Sequence, residues 1–370
     1  MTGLGSVERR LTAALWSLPG IGRQSLDRLA RLGPLEQWRS VEPSQQAGLI
    51  PWPRQALESL SVIGSLEQVA DRLEQRLENL GHEVAFNGDP KYPPRLSELR
   101  DAPPMLFVVG PGAAVAPRRR VAMVGTRRPD QGFVDRARFF VEVTAAASVG
   151  IISGGAEGVD QCCHGAALRA GAETWAFLGC AIEQIDPPQR RLVRPFRDHG
   201  GTLFSEYPPG ARPSRATFPR RNRLISGAAD AVLVLRAPKG SGALHTVSYA
   251  IKQRRPVLAI PGDFFNLAAQ GCNELIRDGL ARICIEPNDL LRAAGLTPAE
   301  AATPLGAKLQ KGDLTELAER VLVHVERTPV DFEWLLNETK CGSGDLASAL
   351  LELELANRVV KHPGRRYELL

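Results

Sequence analysis

Between residues 106 and 259, seven short and uniformly apolar runs alternate with longer amphipathic segments, and this restricts the fold more than any other feature of the chain. The runs cover residues 106–109, 121–124, 151–152, 175–178, 202–204, 231–235 and 257–259. They are strand-sized and lack the apolar-polar alternation of a strand with one wet face. Strands that are apolar on both sides need cover on both sides, which the helices of β-α-β crossovers provide. Helical spacing at 133–147, 163–169, 244–252 and 273–277 supplies those helices. The expectation is a doubly wound parallel α/β domain over residues 89–296.

The flanks read differently. In residues 1–88, Leu11, Leu15 and Leu18, then Leu26 and Leu29, recur at helical spacing around Pro19-Gly20-Ile21-Gly22. Leu66, Val69, Leu73, Leu77 and Leu80 mark a further helix face. This predicts a small all-α domain of SAM or helix-hairpin-helix type, whose turn could hold a phosphate on backbone N–H groups. Asn87-Gly88-Asp89-Pro90 marks its end, and a proline-rich connector follows. Residues 297–312, with Pro298, Pro304 and Gly306, read as a linker. Residues 313–370 then give helices at 315–325, 332–339 and 344–355, and a hairpin at 358–361 and 366–369 around Pro363-Gly364, which is a winged-helix outline.

Hydrophobic residues at 44% and charged residues at 24% exclude a largely disordered chain or a fibre. No run is long enough to cross a bilayer and no signal-peptide pattern is read, so a cytoplasmic location is expected. The six cysteines form neither a CxxC pair nor a metal-ligand ladder; reduced core thiols, with no metal and no cofactor, are expected. Of the net charge of +5, residues 89–296 carry the positive share, with 28 basic against 19 acidic residues. A polyanion partner should be sought there.

In an open parallel sheet, ligands sit beyond the carboxyl ends of the strands. One strand end reads Val124-Gly125-Thr126-Arg127-Arg128, where an arginine would face phosphate. A second reads Ser153-Gly154-Gly155 and leads through Asp160 to His164. Its glycines would let the backbone cradle an anion, and His164 is expected as a hydrogen-bonding residue on a helix face or in the core. A third, Lys239-Gly240-Ser241-Gly242, lacks the Walker pattern, which argues against ATP hydrolysis, and His245 after it is expected in a core or capping role. The most basic stretch holds Arg212, Arg215, Arg220, Arg221 and Arg223 with no acid, and has Phe218 and Asn222 among them. Cations that track a backbone beside an aromatic face suit single-stranded nucleic acid. One of Arg220, Arg221 and Arg223 is expected to pair internally with an acid such as Asp160 or Glu206. The winged-helix segment is acidic through residue 339, which argues against its gripping duplex DNA and leaves protein contact as its other role.

Taken in order, Tyr92-Pro93-Pro94, Pro103-Pro104, the run 121–127, Ser153 to Asp160 with His164, Ser205-Glu206, Phe218 to Arg223, Ser241-Gly242-Ala243-Leu244, Pro261-Gly262 and the run 271–279 resemble the DNA-processing protein DprA (Smf) family. The resemblance covers residues 90–290. It departs at Cys180 and at Asp186-Pro187, where the family has glycine and Tyr-Pro. It implies an extended Rossmann-like fold and a cytoplasmic homodimer that binds single-stranded DNA, protects incoming DNA during natural transformation and loads RecA recombinase, with single-strand-binding protein as a further partner. It places pocket residues at Arg127, Gly154, Arg215, Phe218, Arg220, Asn222, Arg223 and Lys239; Ser153 and Arg221 join them from the reading of the residues. The alternative is a phosphoribohydrolase on a related fold, against which the stretch 239–246 offers no carboxylate.

Overall fold

The computed structural model describes residues 6–39, 53–113, 119–129, 131–185, 187–297, 315–326, 328–355, 358–362 and 364–369. They form two compact units, divided between Ala301 and Ala302.

The first unit is built on a nine-stranded sheet of β1 (Glu83–Phe86), β2 (Met105–Val109), β3 (Arg120–Gly125), β4 (Gly150–Ser153), β5 (Thr174–Leu178), β6 (Thr202–Ser205), β7 (Ala231–Arg236), β8 (Val257–Ala259) and β9 (Arg282–Ile283). Their order is β1-β2-β6-β5-β4-β3-β7-β8-β9. The sheet is parallel from β6 to β9, and β1 and β2 close one side antiparallel. Successive residues feed opposite cores, as the pleat requires. Val121, Met123, Ile151, Leu233 and Leu258 pack with Phe133, Phe140 and Leu290. Ala122, Val124, Ile152, Val232 and Val234 pack with Leu224, Ile225, Val247 and Leu275 on the other face. That two-sided burial is why the strands read as unbroken apolar runs. From β3 the chain steps outward to β6, then returns to place β7 beside β3, so the direction of winding reverses between these two strands.

The helices expected as a domain over residues 1–88 pack within this same unit. Ala13, Trp16, Leu73 and Leu77 share a core with Val84, Phe86, Met105 and Phe107, and Trp16 Nε1 donates to Glu206 O at 2.7 Å. Strand β1 lies before residue 88, so the sheet begins inside the segment expected to be all helical. The helices themselves follow local signals: Ser65 and Gln68 form a capping box before Leu66–Leu80, and Gly81 ends that helix in the left-handed conformation. Two further helices, Pro187–Asp198 and Thr217–Gly227, were not among the periodic segments. The second contains the basic stretch from Thr217 onward.

The second unit has helices Glu316–His324, Phe332–Thr339 and Ser343–Leu355, around a core of Val321, Leu335, Leu350, Val359 and Tyr367. Its hairpin, β11 (Val359–His362) with β12 (Arg366–Leu369), gains a third strand through β10 (Val330–Asp331), which pairs with β12. The linker expected at 297–312 lies, apart from Thr297, outside the described residues. Among the described residues no helix is long and apolar enough to cross a membrane.

Candidate nucleic-acid interface

A cavity of about 740 Å³ opens at the carboxyl ends of β3 and β7, where the winding reverses. Arg127 and Arg215 stand exposed on its wall, and Phe218 and Asn222 are half-buried in it. Phe218 rests against Gly179 just past β5, where even a Cβ would come within 2.9 Å of the ring. Arg127 is held from behind by Gly158 (φ +88°), where a Cβ would lie 2.6 Å from the Arg127 carbonyl; a side chain there would be strained and would also displace the arginine. Val159 N donates to Thr126 O at 3.1 Å, which fixes the same turn.

The floor of the cavity is an internal network. Arg221 is buried and donates through Nη1 to Gly154 O at 2.6 Å and to Phe177 O. Asp160, also buried, accepts from Gly154 N at 3.1 Å and Ala156 N at 3.3 Å. Burial pushes the Asp160 carboxyl above its ordinary range and the charge of Arg221 opposes this. Burial likewise lowers Arg221 to about 10, with Asp160 pulling the other way. Ser153 Oγ is buried and donates to Met123 O at 2.6 Å. The expected cradle of Ser153 and Gly154 is therefore spent on the fold: the hydroxyl ties β4 to β3 and the Gly154 N–H is held by Asp160.

The remaining sequence candidates divide. Arg223 is buried and paired with Glu206, with Asp101 at 3.3 Å, so Arg221 and Arg223 both turn inward where one internal pair was expected. Arg220 is exposed but faces a different cleft, beside Trp16 and Tyr207. Lys239 extends into solvent and pairs with Glu274 at 3.1 Å. The structure thus gathers Arg127, Arg215, Phe218, Arg221 and Asn222 at one cavity and places Arg220, Arg223 and Lys239 elsewhere. His245, expected in a core or capping role, instead lies exposed at the cavity rim, because the turn after β7 brings it to the same edge as Arg127. Its place in the first turn of the helix Ala243–Lys252, which follows β7, was the signal for this. His164 is buried, with Nδ1 2.7 Å from Thr174 Oγ1 and its ring edge-on to Phe196. All six cysteines are free, and among the described residues no group of His, Cys, Asp and Glu could hold a metal ion.

Residues 83–295 match the family described as DNA recombination-mediator protein A, and residues 306–365 match the DprA winged helix domain. The chain belongs to the DprA/Smf family. Its relatives include Protein Smf of Synechocystis, 31% identical with 76% of this chain and 78% of that protein covered, and Protein Smf of Escherichia coli, 33% identical with 78% of each covered. Among solved structures, DprA of Streptococcus pneumoniae aligns with a TM-score of 0.60 at 26% identity, over 76% of this chain and 95% of that one. DNA processing protein A of Helicobacter pylori, whose structure was described for its single-stranded DNA binding mode, aligns at 0.51 and 26% identity over 57% of this chain and 94% of that one. The DprA/Smf match begins at Glu83, the first residue of β1, so the antiparallel strands belong to the family's α/β domain.

Proposed function

We propose that this DprA/Smf chain binds single-stranded DNA at the β3–β7 cavity without breaking bonds. The observation that carries this reading is the pairing of two exposed arginines, Arg127 and Arg215, with the half-buried ring of Phe218. The guanidinium groups meet phosphates, and the ring offers a face to a base that a duplex would keep stacked. Ser153, Gly154 and Arg221 shape this surface from below, and His245 adds to its rim. The single-strand binding described for the Helicobacter pylori relative supports the assignment. Asp160, the acid lining the cavity, is occupied by two backbone N–H groups, so it is poorly placed to abstract a proton from a ligand. In the cell, binding here would protect incoming DNA during natural transformation and present it to RecA recombinase. The chain would act as a cytoplasmic homodimer, with single-strand-binding protein as a further partner.

A gel-shift comparison of single- and double-stranded oligonucleotides tests the class and the site together. Wild type should prefer the single strand, and the double variant Arg127→Ala/Arg215→Ala should lose most of that binding. Undiminished binding by the double variant would remove the cavity from consideration, and release of adenine from AMP by wild type would favour the phosphoribohydrolase instead.

A further inference from the structure

The helix Thr217–Gly227 separates two hollows, and the second has no role in the binding described so far. Phe218 and Asn222 face the β3–β7 cavity, while Arg220 projects into a cleft of about 490 Å³ between the turn 18–22 and the segment 206–211. A smaller hollow of about 240 Å³ shares Trp16, Glu206 and Arg220 with it. We propose that this cleft is a second nucleotide subsite, which takes one base and one phosphate of a single strand already held at the Phe218 cavity; it rests on the single-strand reading above.

Three features of the cleft converge on a nucleotide. Its walls are aromatic and apolar, with the exposed Pro19 and the half-buried Tyr207 available to a base and the largely buried Trp16 among its lining residues, and Arg220 stands at its mouth. Glu206 lines the cleft and its partner Arg223 lines the smaller hollow; both side chains are buried, and each keeps one polar atom without a partner, Oε2 and Nη1, although they pair with each other through other atoms. Buried polar atoms are nearly always hydrogen-bonded, so an unused acceptor and an unused donor on one ion pair call for a group that offers both a donor and an acceptor. The N–H and C=O that lie side by side on the pairing edge of thymine or guanine are such a group. The third feature is the turn itself. Gly20 takes φ +80° to make it, and Gly22 then caps the helix Arg23–Leu32 with no side-chain cap and no acid in the first turn. Its N–H groups and the helix dipole suit a phosphate.

The test uses Gly22→Asp in the full chain. A Cβ at Gly22 meets nothing within 4 Å and its φ of −138° suits any residue, so the fold tolerates the change, and aspartate is a favourable helix cap. The same carboxylate repels phosphate. Affinity is read by fluorescence anisotropy for oligothymidylates of about 4 and about 16 nucleotides, bracketing common site sizes. The variant should melt no lower than wild type, hold the short strand unchanged and bind the long strand about tenfold more weakly, within the worth of one stacked base. The neutral cap Gly22→Asn should lose less. In parallel, long strands carrying 5-iodouracil should photocrosslink to Trp16 or Tyr207. Unchanged long-strand affinity in Gly22→Asp, or crosslinks that avoid both residues, would overturn the subsite and leave the cavity standing. Equal labelling by a free iodinated mononucleotide would make the cleft a small-ligand site and end the proposal. If Arg127→Ala/Arg215→Ala binds both lengths like wild type, the cavity itself fails, and a second subsite fails with it.

Discussion

The strand-to-helix junctions after β3 and after β4 lie next to each other on the carboxyl edge of the sheet and are both glycine-containing, yet they are used in opposite ways. After β3, Gly125 and Thr126 turn the chain so that Arg127 stands in solvent at the cavity. After β4, Ser153 Oγ donates to Met123 O, Gly154 N donates to Asp160 and Gly154 O accepts from Arg221. The junction that looks more like an anion cradle is thus the one whose groups are already committed. A glycine-rich turn can cradle a ligand only where its backbone groups remain unspent, and that depends on what the rest of the fold brings against it.

The contrast is broken most directly at Arg221. Arg221→Ala removes the donor to Gly154 O and Phe177 O and leaves Asp160 buried without its cation. Urea denaturation should show a loss of about 3–5 kcal/mol, as expected when two buried carbonyls lose a charged donor worth about 1.5–3 kcal/mol to each. Arg127→Ala should stay within about 0.5 kcal/mol of wild type. Equal losses would mean that the β3 junction is structural too.

The helix that follows β4 offers a second test. Thr174 Oγ1 uses its hydrogen on Ile151 O, so it accepts from His164 Nδ1. Burial, helped by the charge of Arg221, lowers His164 from 6.5 to about 3. Between these values the unfolded chain binds a proton that the folded one does not, so stability falls as the pH drops below about 6.5. The slope is about 1.4 kcal/mol per unit, or about 2 kcal/mol by pH 5. Asp160 and Glu206, whose carboxyls are raised by burial, act with the opposite sign at the acid end, stabilising the fold as the pH falls. The measurement is therefore the difference between wild type and His164→Gln, whose stability should be flatter between pH 7 and pH 5. Parallel curves would show that His164 titrates normally.

These tests also mark where the sequence was readable. The parallel strands could be located because burial on both faces leaves an apolar run with no polar interruption, as at 121–124 and 231–235. Strand β1 was missed because Glu83 opens it and it stands at the antiparallel edge, where its four residues give too short a pattern. For the site, position after a strand end pointed to Arg127, and a basic stretch with an aromatic ring pointed to Arg215 and Phe218, which line the same cavity. The inward turn of Arg221 and Arg223 was only half legible. Asp160 and Glu206 could be named as partners, but which arginine faces in depends on the phase of the helix Thr217–Gly227, and five arginines carry no period.

The arginines that stay in solvent can be separated from Phe218 by the kind of loss each causes. Phe218→Ala should weaken single-strand binding by about 1–3 kcal/mol, the worth of one stacked base, and should leave the salt dependence nearly unchanged because no charge is removed. Arg127→Ala should do the reverse, with a modest loss at low salt and a flatter plot of log affinity against log salt. One phosphate contact on a single strand contributes a slope of about 0.7. Titrations at several salt concentrations read both quantities. Arg127→Lys keeps the charge and should keep the slope, even where the loss of the guanidinium fork lowers affinity. An unchanged slope in Arg127→Ala would mean that no phosphate lies against the β3 junction, and the difference between the two strand ends would then reduce to exposure alone.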